Sequence, residues 1–218
     1  MGVRDRLLAG MAKQLGRPEG LRGRLVGRGL NKGNRAAVTS AVAASGAGPG
    51  QVVADLGFGG GLGLQLLLDR VGADGHVHGV ELSETMLKEA RRRHAAECGA
   101  GRLTLQPGTL GDLPLDDGSI DGLITTNTVY FVEDLARAFA EIARVLRPSG
   151  RAVIGVGDPE KMQAMPVVAH GFRVRPVDEL VALLGRAGFM DVRDEIVEGD
   201  DRGFHLLIAS VGGSSAHP

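Results

Sequence analysis

Apolar and polar positions along residues 52–211 follow two rhythms. Short apolar runs bounded by glycine, proline or acidic turns read as buried strands: Val52–Gly57, His76–Leu82, Leu103–Gln106, Ile120–Thr126 and Arg151–Val156. Between them lie stretches with a helical period, Leu62–Val71 and Ser83 to about Cys98. The clearest has Leu135, Phe139, Ile142 and Leu146 in an i, i+4, i+7, i+11 stripe, stopped by Pro148 and Gly150. Ser83 suits a helix N-cap, with Leu82 and Leu87 spaced as a hydrophobic staple. A helix over Val177–Ala187 precedes two closing strands, Val192–Val197 and Phe204–Ser210. This alternation predicts a doubly wound α/β fold: a mostly parallel, seven-stranded, Rossmann-like sheet with helices on both faces, plus an N-terminal helical extension.

The punctuation Gly46-Ala47-Gly48-Pro49-Gly50 separates a basic helical extension, residues 1–46, from a main domain, residues 47–211, with 212–218 as a disordered tail. Residues 1–35 hold nine Lys and Arg against Asp5 and Glu19, although the whole chain balances 25 basic against 26 acidic residues. Such an arm invites nucleic acid or an anionic membrane. Leu7, Leu8, Met11, Leu15, Leu21, Leu25 and Val26 interleave its charges at helix-like spacing, however, and it has no aromatic residue on which a base could stack. Packing on the neighbouring domain, as a lid over its pocket, is the expectation; nucleic acid is not favoured.

At 218 residues, 43% hydrophobic and 23% charged, the chain has the size and proportions of an ordinary globular domain. Its longest apolar stretches are under ten residues, too short to span a bilayer. The first residues lack a signal-peptide core and a hydroxyl at position 6, so the expected compartment is cytoplasmic and myristoylation is not expected. The single cysteine, Cys98, excludes an internal disulfide and a cysteine-based zinc site.

The candidate chemistry begins at Asp55-Leu56-Gly57-Phe58-Gly59-Gly60-Gly61, between a strand and a helix, where an open α/β sheet binds its ligand. Glycines there permit positive φ and close approach of the backbone to a ligand. Nicotinamide enzymes, flavoproteins and methyltransferases all use such a turn. Glu81, at the end of the second strand, can accept both hydroxyls of an adenosine ribose, a device dehydrogenases share. Asp55 discriminates better, because dinucleotide folds place small apolar residues before the glycines.

In these segments the chain resembles the class I S-adenosylmethionine-dependent methyltransferases, small bacterial type. The resemblance covers roughly Val52 to Val156 and rests on four pieces in family order. They are Val53–Gly61, Gly79–Leu87, Leu113–Asp121 and Ala138–Gly150. It implies S-adenosylmethionine as cofactor and roles by position. Asp55 would orient the glycine turn and the methionine amino group, and Gly57 and Gly59, with Gly61 completing the turn, would lie against the methionine part and ribose. Glu81 would bind the ribose diol, and Leu82 with Met86 would sandwich the adenine. The family often has Gly-Asp before Leu113-Pro114, where this chain has Gly108-Thr109, so Thr109 or the backbone at Leu110 takes over that adenine contact.

In such a fold the acceptor lies over the C-terminal ends of strands one, four and five. Asn127 and Tyr130 are therefore the candidates to face the methyl group, Asn127 also counting with the cofactor-binding residues. Asp158 follows strand five, and His170, whose imidazole titrates near neutrality, is the candidate general base. His76 and His78 alternate on strand two with no partner in view, His94 lies on a helix, and none of the three reads as catalytic. An aromatic share of 3% without tryptophan argues against a slot for a flat quinone. It favours a small polar or aliphatic acceptor, most simply a hydroxyl of a sugar, polyketide or lipid-linked metabolite. N- or C-methylation, a non-catalytic S-adenosylmethionine-binding protein, a divalent cation and a homodimer stay open. A nicotinamide reductase would need a Tyr-x-x-x-Lys constellation, which is absent.

Overall fold

The apolar runs become the strands of one sheet: β1 (Val52–Leu56), β2 (His76–Glu81), β3 (Leu103–Pro107), β4 (Ile120–Thr126), β5 (Leu146–Gly157), β6 (Phe189–Ile196) and β7 (Phe204–Val211). The computed structural model describes residues 2–16, 33–197 and 203–212. The arm positions Leu21, Leu25 and Val26 and the tail 213–218 lie outside the described residues. The sheet runs β3-β2-β1-β4-β5-β7-β6. Strands β1 to β5 pair in parallel, while β7 is antiparallel to both β5 and β6. The order reverses direction at β1, with β2 on one side and β4 on the other, and a doubly wound sheet leaves its ligand crevice at that point.

The helices are α1 (Val3–Gly16), α2 (Arg35–Ala44), α3 (Leu62–Val71), α4 (Glu84–Arg93), α5 (Ala95–Gly99), α6 (Leu135–Val145), α7 (Pro159–Gln163) and α8 (Val177–Arg186). They cover both faces. Leu64, Leu67 and Leu87 pack with Val53, Val77 and Ile124 on one face, and Phe139, Ile142 and Leu184 pack with Leu123 and Ile154 on the other. Each fully buried Leu, Ile or Phe contributes roughly 1.5–3 kcal/mol of transfer free energy. Helix α2 buries Ala37, Val38, Ala41 and Val42 in the first of these clusters. Residues 35–44, expected in the extension, therefore belong to a helical layer of the sheet. Among the described residues no helix is long and apolar enough to cross a membrane.

Three boundaries differ from expectation. The helix over 83–98 divides at His94 (φ −109°, ψ 36°), where the inward stripe of Met86, Leu87 and Ala90 falls on an imidazole that is itself buried. Helix α6 stops at Val145, and Leu146 already pairs with Ile120, because Pro148 disfavours helical geometry at the residue before it. Strand β6 starts at Phe189; Asp191, at φ 52°, sits in an irregularity that hides the alternation.

The arginines of the α6 region fasten loops. Arg144 pairs with Glu141 and Asp117 and donates to the carbonyls of Leu113 and Leu115. Arg147 pairs with Asp121, whose other oxygen accepts the Val52 N–H at 2.8 Å. The Arg144 bonds tie residues 113–117 to α6, and the Arg147–Asp121 pair ties the start of β4 to the start of β1. His76 also has partners: its ring nitrogens meet the Gly101 carbonyl at 2.9 Å and the Thr104 hydroxyl at 3.0 Å, tying β2 to β3.

Candidate active site

A cavity of about 680 Å³ opens over the C-terminal ends of β1, β2 and β4. One side is built from the β1 turn. Gly57 (φ 72°) donates to the Val80 carbonyl at 2.7 Å, and a Cβ there would lie 2.5 Å from Thr128 Oγ1, so only glycine fits. Gly59 (φ 49°) donates to Glu81 Oε2 at 2.9 Å, and the Ser83 N–H donates to Oε1 at 2.8 Å. Both Glu81 oxygens are thereby oriented, and each keeps a lone pair for a ligand hydroxyl. The Ser83 hydroxyl caps α4 by accepting the Met86 N–H at 3.3 Å. Arg93 reaches back from the end of α4 and donates to the Gly60 carbonyl at 2.7 Å.

Asp55 and Glu81 are both buried and both on the cavity wall. Burial, then the negative charge of Glu81, pushes the Asp55 carboxyl up to about 8. Burial also raises Glu81, while the N–H groups of Ser83, Gly59 and Leu82 pull it back. Neighbouring buried acids are relieved by a positive charge between them, so this end of the cavity is suited to a cationic ligand.

Across from the turn, Thr109 and Asp112 exchange backbone hydrogen bonds at 3.3 and 3.2 Å. Leu82, Thr109 and Leu110 line this side. Asn127, at φ 58°, donates its N–H to the Gly155 carbonyl at 2.9 Å where the chain leaves β4. Beyond it Tyr130 is buried on the wall, and its hydroxyl oxygen accepts the Gly157 N–H at 2.6 Å.

A family model described as a methyltransferase domain matches residues 54–154. An uncharacterized methyltransferase, YdaC of Bacillus subtilis, is 31% identical over 143 residues, which are 66% of this chain and 74% of that protein. The chain belongs to the S-adenosylmethionine-dependent methyltransferases. The arsenite methyltransferase of Halobacterium salinarum is 35% identical over 160 residues, 70% of this chain and 40% of its own. This methyltransferase chain spans 31% to 42% of the length of the first curated relatives it matches. A solved S-adenosylmethionine-dependent methyltransferase from Aquifex aeolicus superposes with a TM-score of 0.70, covering 93% of this chain and 98% of that one at 20% identity. That likeness is one of fold.

The residues present fit the methyl donor. Its ammonium answers the buried Asp55, its ribose diol can meet Glu81, and the cradle at Gly57 excludes any Cβ. The structure brings Asp55, Gly57, Gly59, Glu81, Leu82, Thr109, Leu110, Asn127 and Tyr130 into the wall of this one cavity. It leaves four expected residues off that wall. Met86 is buried on the inward face of α4, in the core cluster that also holds Phe58 and Leu105. Gly61 (φ 78°) is the N-cap of α3 and faces Arg93. Asp158 caps α7 through the Lys161 N–H and lies 3.7 Å from His205. His170 closes a 3-10 turn (Val168–His170) in which Val168, not the imidazole, reaches the cavity. Leu82, half of the expected staple, is 46% exposed and lines the cavity.

Sequence reasoning missed the far wall, where Phe131, Met162, Met165 and Phe172 join Tyr130. It also missed Arg93 behind the glycine turn. The run Thr126–Phe131 at the end of β4 carried the only signal, through its paired aromatics. Among the described residues, no three His, Cys, Asp or Glu side chains are grouped to hold a metal ion.

Proposed function

We propose that this chain transfers the methyl group of S-adenosylmethionine to a hydroxyl of a small-molecule acceptor. The observation that carries the reading is the continuity of one cavity: buried Asp55 and Glu81 flank a bare glycine cradle at one end, and Tyr130 lies on the wall of the other. The bound cofactor supplies an electrophilic methyl group poised for in-line displacement by the acceptor. Asp55 holds the cofactor's ammonium, Glu81 its ribose diol, and Leu82, Thr109 and Leu110 its adenine. Asn127 and Tyr130 position the acceptor oxygen, with the Gly157 amide fixing the phenol. Alignment within an enclosed site is the protein's main contribution and is worth several kcal/mol or more.

Arsenite, the acceptor in the name of the Halobacterium relative, is a soft, thiol-seeking centre. The single cysteine of this chain, Cys98, lies on α5 and off the cavity wall, which favours an oxygen acceptor. Leu15 and Gly16 of α1 line the same cavity and support reading the basic arm as a lid. The deciding experiment is turnover of the full chain with the methyl donor against a panel of hydroxyl, amine and carbon acceptors, read by mass. A mass gain of one CH2 on hydroxyl acceptors alone is expected. Gain only on amines or carbon replaces the O-transfer reading, and no gain on any acceptor while S-adenosylhomocysteine binds supports a non-catalytic binder. Full turnover by a chain lacking residues 1–35 removes the lid.

A further inference from the structure

The acceptor end of the cavity is far less polar than composition suggests. The chain has seven aromatic residues, six Phe and one Tyr. Three of them, Tyr130, Phe131 and Phe172, meet on this one wall. Their ring centroids lie 6.4 Å (Tyr130–Phe131), 5.8 Å (Tyr130–Phe172) and 4.7 Å (Phe131–Phe172) apart, and the planes cross at 86°, 41° and 58°. A slot that stacks a flat ring needs two nearly parallel faces. Here edges and faces alternate, so the rings form a rounded cup. Met162 and Met165, unbranched and polarisable, continue the cup, as flexible gap-fillers do against irregular apolar shapes. The end of α1 closes it: a Cβ at Gly16 would lie 2.7 Å from Phe131 Cδ1, so the helix backbone rests directly on the ring.

We infer that the acceptor carries a non-planar hydrocarbon body, alicyclic or branched alkyl, which fills this cup and presents its hydroxyl toward Tyr130 and the cofactor end. This rests on the methyltransferase reading of the same cavity. Apolar burial supplies most of the acceptor's affinity, because packing hydrocarbon against aromatic and thioether carbon removes much of it from water. A polar acceptor such as a sugar would lose its hydration against these rings and thioethers, which offer it no strong hydrogen bonds in return.

The test uses three ring alcohols of similar size: 2-decalol, puckered and apolar; 2-naphthol, flat and apolar; and inositol, puckered and polar. Each is titrated calorimetrically into full-length protein saturated with S-adenosylhomocysteine, whose own binding is measured first. Expected is the order 2-decalol, then 2-naphthol, with inositol weakest. Phe172→Ala and Met165→Glu should each weaken 2-decalol by about tenfold, the effect of losing on the order of 1.4 kcal/mol of apolar contact. Both variants should bind S-adenosylhomocysteine within about twofold of wild type, well under one tenfold step. Met165 is 47% exposed, so its variant keeps the test valid if Phe172→Ala does not fold. Tighter binding of 2-naphthol than of 2-decalol overturns the non-planar body, and inositol matching 2-decalol overturns the apolar cup. Absence of S-adenosylhomocysteine binding strikes at the methyltransferase reading instead, so the two failures are separable.

Discussion

Replacing Asp55 by Asn removes one titrating group and leaves its shape. Asp55 is 3% exposed, and burial together with the Glu81 charge moves its carboxyl from an ordinary 3.8 to about 8. The folded state therefore binds this proton more tightly than the unfolded chain does. By linkage, stability is highest below the unfolded value near 4 and falls as pH rises from there through about 8. The gap between those values corresponds to at most about 5–6 kcal/mol of pH-dependent stability in the ligand-free protein. The Asp55→Asn variant carries no such penalty. Urea unfolding should find the variant's advantage growing from about 1–2 kcal/mol at pH 5 to several kcal/mol at pH 8.5. The order reverses for the ligand: the ammonium of S-adenosylhomocysteine stabilises the carboxylate, so wild-type binding releases a proton. Its affinity should rise between pH 6 and 7.5, approaching tenfold per pH unit, while the ligand amine is still protonated. Calorimetry in buffers of different ionisation enthalpy measures that proton directly. A stability difference that stays constant from pH 5 to 8.5, or binding without proton release, refutes the buried-acid argument.

Three further outcomes follow from the same site. Glu81→Gln turns an amide NH2 toward either the Gly59 or the Ser83 N–H, leaving a donor unsatisfied; a loss of about 1–3 kcal/mol in stability and at least about tenfold in S-adenosylhomocysteine affinity is expected. Tyr130→Phe strands the buried Gly157 N–H, so urea unfolding should lose about 1–3 kcal/mol, and turnover should fall while cofactor affinity holds; an unchanged midpoint denies the bond its role. Gly63→Ala sets two effects against each other. Helix propensity favours Ala by about 1 kcal/mol, but the new Cβ meets Asp55 Oδ2 and lies 2.9 Å from Ile124 Cδ1. Overpacking of about 1–3 kcal/mol should win, lowering the Tm; a raised Tm shows that Asp55 moves aside without cost.

The cofactor end was legible from the chain because its parts are local. Gly57 and Gly59 lie within one turn of Asp55, and Glu81 ends the next strand, so the parallel pairing of β1 with β2 brings them together. The acceptor end was not legible. Phe131 and Phe172 are distant in sequence and belong to different connecting segments, and neither has a periodic context. His170 looked suitable by its residue type alone, yet one residue position on a 3-10 turn left it off the cavity wall while Val168 and Phe172 reached it. The low aromatic share agreed with the lack of a flat slot but did not show the gathered rings, because a chain-wide average does not report where folding brings them together.

What the amino-acid order determined alone was the succession of strands and helices, the doubly wound sheet and the glycine cradle after β1, since hydrophobic period, capping residues and glycine turns act over a few neighbouring positions. Only the tertiary structure decided the shape and polarity of the aromatic cup and the raised acidity range of Asp55. Both depend on which distant side chains exclude water from a point in space, and burial is a property of the packed fold.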